Sequence, residues 1–294
     1  MREHLNGPTR VQNYVTAKGA CGEHSDFLSG DTFSNQCCPV TAQTLSVTGE
    51  RIVPGEVAEE LFRDHEVRYV FAASFVKGQR VLDVACGTGI GTHYLIQAGA
   101  RSCLGLDIDP GAAAYAKATY QDCAFAQCDG TSLCLADASV DAVVSFETIE
   151  HVKDQTAFLL ECRRVLTPGG VLICSTPNRT LSCWGATNPF HFRELTVKEF
   201  ADLLRPMFSH VQLYAQKNRI YALYVGRRVL VALLDKLQLT KPIRRLLRRN
   251  PATLITKSEF SRNLNDLDGE IQPWRPPLLY EPTFVIAVAR KPLG

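Results

Sequence analysis

Residues 81–91 read VLDVACGTGIG, an apolar run that passes into a glycine-rich turn and then a second amphipathic stretch. A strand feeding a tight turn and a helix brings backbone N–H groups close to whatever binds at the turn. The glycines fall at Gly87, Gly89 and Gly91, spaced G-x-G-x-G. A dinucleotide turn has the spacing G-x-G-x-x-G, and Thr92 stands where its third glycine would be. Asp83 is the second signal, a carboxylate in an otherwise apolar strand. Beside a pyrophosphate that charge would repel; beside a cationic, amino-acid-bearing ligand it would attract.

Outward from this turn, strand-like and helix-like segments alternate. RVLDVA at 80–85 reads as a buried strand and IGTHYLIQAG at 90–99 as a helix ending at Gly99. SCLGLDI, CAFAQCD, VDAVVSF and GVLICSTP supply four further strands; PGAAAYAKATY and residues 153–166 supply helices. TVKEFADLLRPM adds a helix, HVQLYAQ a sixth strand and PTFVIAVARK a seventh. This rhythm predicts an α/β, Rossmann-like fold: seven strands, mostly parallel, with helices on both faces. Upstream, residues 54–76 read as a helix with Val57, Leu61, Val67, Val70 and Phe71 on its apolar side. Residues 1–46 are rich in Gly, Ser, Thr, Asn and Gln and read as a flexible arm, which leaves 47–294 as the folded domain.

Composition narrows the function classes. The chain has 294 residues, 46% hydrophobic and 21% charged, with a net charge of +2. Such a balance gives no signal for nucleic acid. Eleven cysteines are scattered without a CxxC pair, and Cys123, Cys128 and Cys134 lack zinc-knuckle spacing. With no apolar leader after MREHLNGPTR, the expectation is a reduced, cytoplasmic protein. No apolar run reaches the length of a membrane span. Nothing in the sequence speaks to oligomeric state.

Asp107 ends the second strand, where a carboxylate can accept hydrogen bonds from both hydroxyls of a ribose, and Asp129 follows the third. Three acids at three successive strand ends, one with a glycine-rich turn, form a combined signal. On VLDVACGTG, LGLDIDP, CDGTSLCLADASVDAVVSFETIEHV and VLTPGGVLICSTPN, the chain resembles the class I S-adenosylmethionine (SAM)-dependent methyltransferases, their small-molecule, type 11-like branch in particular. The resemblance implies that Asp83, Ala85, Cys86, Gly87 and Gly89 surround the methionine moiety of SAM. It implies further that Asp107 and Ile108 hold the nucleoside, that Cys128, Asp129 and Gly130 border the adenine, and that Phe146 and Glu147 line the opening. Ala85 departs from the glycine usual in the family, which is tolerable where φ is negative. TGERIVPG and NPFHFRELTVKEF are similar to bacterial methyltransferases found beside sugar and natural-product biosynthesis.

SFETIEHV at 145–152 sets Glu147, Glu150 and His151 at i, i+3 and i+4. Three readings stand. The acids can complement a helix start; His151 can be a general base for a substrate hydroxyl; or the three can hold a divalent cation. The third is similar to ubiquinone-biosynthesis O-methyltransferases and small-RNA 2′-O-methyltransferases, and by that likeness His191 completes the set. The expected function is methyl transfer from SAM to a hydroxyl of a small molecule, a metabolite, sugar or natural product. An RNA 2′-O-methyltransferase and a non-catalytic SAM-binding protein are the alternatives. Residues 218–281 read as an insertion between the last two strands, and PIRRLLRR places Arg244, Arg245, Arg248 and Arg249 on a basic helix within 241–249. In it Ile243, Leu246 and Leu247 share one face against the four arginines, and the helix is either a solvated face or a contact for an anionic surface.

Overall fold

The computed structural model describes residues 59–183, 188–220, 271–274 and 280–293, with isolated positions between 226 and 233. The expected arm at 1–46 and the basic helix at 241–249 lie outside the described residues. Five strands run parallel: β1 (Arg80–Val84), β2 (Ser102–Asp107), β3 (Ala124–Gln127), β4 (Val140–Phe146) and β5 (Leu166–Pro177). β6 (His210–Ile220), β7 (Gln272–Pro273) and β8 (Tyr280–Arg290) complete one sheet in the order β3-β2-β1-β4-β5-β8-β6-β7. β8 is antiparallel to both β5 and β6.

The sheet therefore has eight strands where seven were expected. The extra one is the two-residue β7, which pairs with Tyr214 and Ala215 from inside the expected insertion. The insertion is also shorter than 218–281. Ladder pairs Asn218↔Pro282, Arg219↔Glu281 and Ile220↔Tyr280 carry the flanking strands past its expected limits, leaving 221–279 between them.

Helices α1 (Glu59–Val76), α2 (Ile90–Gln97), α3 (Pro110–Thr119), α4 (Gln155–Val165), α5 (Arg179–Ser182) and α6 (Val197–Leu204) connect and cover the strands. Their starts are written locally. Asp109 caps α3 through Gly111 N–H at 2.7 Å, with Pro110 at the first helical position. Asp154 caps α4 through Ala157 N–H, and Thr196 with Glu199 forms a reciprocal capping box on α6. No helix among the described residues is long and apolar enough to cross a membrane.

The α1 stripe differs in part from the sequence expectation: Phe71 packs against the core as expected, while Val57 and the side chain of Leu61 lie outside the described residues. The buried positions are Asp64, Arg68, Ala72 and Val76, an unbroken i, i+4 row, whereas Val70 is half exposed. Two charged side chains occupy core positions because α1 reaches polar partners on the sheet. Lys217 Nζ meets Asp64 Oδ2 at 2.7 Å, and Arg68 Nη1 donates to Gln216 Oε1 at 2.8 Å. Below them, Ala72 and Val76 join Val81, Leu95, Val144 and Ile173 in the apolar core. Strand order reverses between β1 and β4, which is where open α/β sheets bind ligands.

Candidate functional site

The site lies at the carboxyl edge of the sheet, and its first half is built on β1 and β2. Asp83 is fully buried; Thr92 Oγ1 donates to it at 2.7 Å and the Tyr69 hydroxyl lies 3.2 Å from each of its oxygens. Burial pushes the Asp83 carboxyl up to about 7 against the pull of those two hydrogen bonds. Tyr69 explains Gly91. A Cβ there would sit 1.9 Å from the tyrosine ring, so the third glycine of the turn serves the partner of Asp83. Gly89 begins α2 at φ 79, with no room for a Cβ against Ala116 and Phe125.

Ala85 does not meet the negative-φ condition for an alanine at this turn. Its φ is 61, in the left-handed region, where a Cβ costs roughly 1 kcal/mol relative to glycine. Its side chain is exposed. Asp107 is fixed from both sides, accepting Gly87 N–H and Asp109 N–H, each at 2.9 Å. Next to it, Ile108 is 64% exposed, an apolar surface beside a ribose-type carboxylate. Asp129 Oδ1 accepts both the N–H and the hydroxyl of Thr131, so this acid also shapes its own turn. Cys128 Sγ accepts Cys134 N–H at 3.1 Å, an interaction that lowers its thiol to about 7. Gly130 packs against Phe158, where a Cβ would come within 2.9 Å. Cys86 and Phe146 are buried; Phe146 stands edge-on to Tyr69 with ring centroids 5.0 Å apart.

The second half is built on β4, β5 and the loop before α6. The octet does not form one helical face. Glu147 has φ 51, outside any right-handed helix, and only Ile149–His151 make a short 3₁₀ turn. Glu147 N–H points at Ser175, whose hydroxyl donates to Glu147 Oε1 at 2.7 Å. Glu150 is buried at 1% exposure and accepts from Thr176 Oγ1 at 3.0 Å; burial, then the neighbouring Glu147 charge, pushes its carboxyl well above the usual range.

The structure brings Glu150, His151 and His191 together, with ligand atoms all within 4.8 Å of one another. Glu147 is not part of that group. His151 Nδ1 lies 3.2 Å from the Phe190 carbonyl, which fixes Nδ1 as the protonated nitrogen and Nε2 as the basic one. His151 and His191 meet edge to face at 4.7 Å. His191 Nδ1 is 2.6 Å from Glu194 Oε1, while Asn188 Nδ2 approaches its Nε2 at 3.0 Å.

Sequence reasoning missed Arg68. It is fully buried, lies over the Phe284 ring at 4.7 Å and stands 4.0 Å from Glu147 Oε1. Among the described residues, its Nε and Nη2 have no hydrogen-bond partner. Buried N–H groups left unpaired cost about 1–3 kcal/mol each, which marks Arg68 as ready to take an anionic group. The one sequence signal was its spacing, four residues after Asp64 and four before Ala72.

Residues 82–174 match the family model described as a methyltransferase domain. A Mycolicibacterium smegmatis protein, "Probable S-adenosylmethionine-dependent methyltransferase", is 45% identical over 164 residues, covering 54% of this chain and 63% of that protein. A ubiquinone biosynthesis O-methyltransferase of Cereibacter sphaeroides is 34% identical over 128 residues, 42% of this chain and 49% of its own length. The chain thus spans between about half and under two thirds of these relatives. Among solved structures, a SAM-dependent methyltransferase from Archaeoglobus fulgidus overlays with a TM-score of 0.51 at 17% identity, covering 80% of this chain and 95% of that one. The Bacillus subtilis YcgJ protein gives 0.50 at 17% identity, covering 78% and 100%. Residues 82–174 thus resemble a methyltransferase domain, and the described chain shares its fold with the Archaeoglobus and Bacillus structures.

Proposed function

We propose that the protein transfers the methyl group of SAM to a hydroxyl of a small molecule. The observation that carries this reading is the pairing of two unlike halves on one sheet edge. A carboxylate row, Asp83 and Asp107, frames the glycine-rich turn. An acid–imidazole group, with Glu150 buried and His151 and His191 partly exposed, lies past the end of β4. The first half fits SAM: Asp107 is oriented by two backbone N–H groups and flanked by exposed Ile108, a ribose acceptor beside an apolar surface for a base.

SAM supplies an electrophilic sulfonium methyl, and its thioether leaving group needs no proton. The chain's task is therefore to position the acceptor and to receive one proton. His151 is the candidate for the second step, because the Phe190 carbonyl holds Nδ1–H and leaves Nε2 to take the hydroxyl proton. Arg68 offers Nε and Nη2 to an anionic group of a bound molecule. β6 ends at Ile220 and β8 begins at Tyr280 on this same edge, and the residues between them, 221–279, are proposed to shape the acceptor's surroundings. The Cereibacter relative, named for O-methylation in ubiquinone biosynthesis, supports a hydroxyl acceptor.

A second reading, that a divalent cation assists, is favoured by one observation: the ligand atoms of Glu150, His151 and His191 fit within 4.8 Å. The donors suit a divalent ion, with Glu194 and the Phe190 carbonyl orienting the two imidazoles. Glu150 would have to ionise and the Asn188 amide would have to move off His191.

The test is mass spectrometry of phenolic, catecholic and sugar acceptors incubated with methyl-labelled SAM, with and without EDTA. Labelled methyl on an acceptor oxygen is the expected result. Turnover confined to RNA, with steep salt dependence, would overturn the small-molecule reading. Unchanged turnover in EDTA would remove the metal.

A further inference from the structure

A second group of metal-type donors lies away from the acceptor half and plays no part in the proposed methyl transfer. His93 stands on α2, and Asp122 and Cys123 lie in the turn between α3 and β3. Their donor atoms are all within 4.8 Å of one another. One oxygen, Asp122 Oδ1, lies 2.9 Å from His93 Nδ1 and 3.7 Å from Cys123 Sγ. With ordinary zinc bond lengths, ~2.1 Å to nitrogen and oxygen and ~2.3 Å to sulfur, those separations correspond to angles at a shared ion of about 90° for nitrogen–oxygen and about 115° for sulfur–oxygen. Both are within a small side-chain rotation of tetrahedral.

The supporting contacts have the form expected around a metal site. Gln97, one helical turn beyond His93, donates to Asp122 Oδ2 at 3.0 Å and fixes the carboxylate plane. Tyr120 stacks on the His93 ring at 4.7 Å with an interplanar angle of 20°, which fixes the imidazole. His93 and Asp122 keep 27% and 34% of their side chains exposed, so an ion has a route in. Cys123 is packed against the Cys86, Ala116 and Phe125 cluster and brings the sulfur from the inner side. A nucleophilic role for this cysteine is disfavoured, because burial and the Asp122 charge push its thiol up.

We propose that His93, Asp122 and Cys123 bind a divalent, borderline-soft cation of the Zn²⁺ type, with a solvent ligand in the fourth position. One imidazole, one carboxylate and one thiolate are a zinc donor set rather than a magnesium or calcium one. The ion would staple α2, the helix that starts at the glycine-rich turn, to the segment leading into β3. It is structural in kind and independent of the Glu150, His151 and His191 group.

The test uses the full chain stripped of metal and titrated with Co²⁺, then with Zn²⁺. A thiolate-to-cobalt charge-transfer band should appear, and Zn²⁺ should displace it. Of the two donor groups only this one contains a cysteine, so Glu150→Gln should retain the band while Cys123→Ser loses it. His93→Gln, on the more exposed side, should weaken Co²⁺ binding at least tenfold without disturbing the fold. Zn²⁺ should raise the melting temperature of the parent and of Glu150→Gln but not of His93→Gln. A parent protein that shows no charge-transfer band, or a band unchanged by both Cys123→Ser and His93→Gln, overturns the site.

Discussion

The two halves of the carboxyl edge are held together by different means. On the β1–β2 side the acids are held mostly by nearby groups: Asp107 by the N–H of Gly87 and Asp109, Asp129 by Thr131, and Asp83 by the hydroxyls of Thr92 and Tyr69. On the β4–β8 side, the groups come from distant parts of the chain. Arg68 reaches Gln216 across 148 positions, and His151 reaches Phe190 across 39. The first half is local and repeatable, suited to one invariant ligand. The second is a buried polar network assembled by tertiary packing, the kind of surface on which an acceptor site can vary.

That contrast gives an ordered set of expectations. The largest effect belongs to the second half. His151→Ala should lower turnover roughly 10²–10⁴-fold, with partial rescue at raised pH, while SAM affinity stays at the parent's value. Single-turnover rates together with equilibrium binding check both parts. A SAM affinity that falls in step with the rate would erase the distinction between the halves.

Next in size is a pH effect from the first half. Asp83 titrates at about 7 in the folded chain against 3.8 in its ordinary state, so the folded protein holds the extra proton between those values. Stability that rests on the protonated form is complete below about 4 and is lost as pH rises through about 7. Binding of a cationic ligand favours the ionised carboxylate. SAM affinity should therefore strengthen up to about tenfold per pH unit below pH 7 and level off above it. Calorimetry in two buffers of different ionisation enthalpy would detect the proton released; pH-independent affinity with no proton release would separate Asp83 from the cofactor.

The smallest effect concerns Ala85. Ala85→Gly removes a Cβ from φ 61, and the relief of about 1 kcal/mol is partly offset by the greater freedom of glycine in the unfolded chain. A small rise in denaturation midpoint is expected. A clear fall would mean that the alanine methyl makes a contact the turn depends on.

The same division explains what the sequence could reveal. The alternation of strands and helices, the helix starts and the acids at the strand ends follow from spacings of a few residues, such as Asp109-Pro110-Gly111 before α3. For Ala85 the sequence set only a condition on φ, and a residue name does not report its φ. The octet misled for a related reason. Its i, i+3, i+4 spacing suits a helix, but the hydrogen bonds of Glu147 to Ser175 turn the chain into the left-handed region instead. In α1 the hydrophobic pattern pointed to Val70, whereas the buried stripe runs through Asp64 and Arg68. Buried charges follow their partners, and those partners lie on β6, about 150 residues away. His93, Asp122 and Cys123 were invisible as a group because no CxxC spacing joins them.

The central claim is that the two halves act separately, cofactor on one side and acceptor on the other. Calorimetric titration of SAM into the parent, Asp107→Ala and His151→Ala tests it most directly. Loss of the ribose carboxylate should weaken binding by about 1–3 kcal/mol, while His151→Ala binds SAM as the parent does. No saturable SAM binding by the parent, or equal affinity in Asp107→Ala, would contradict the account.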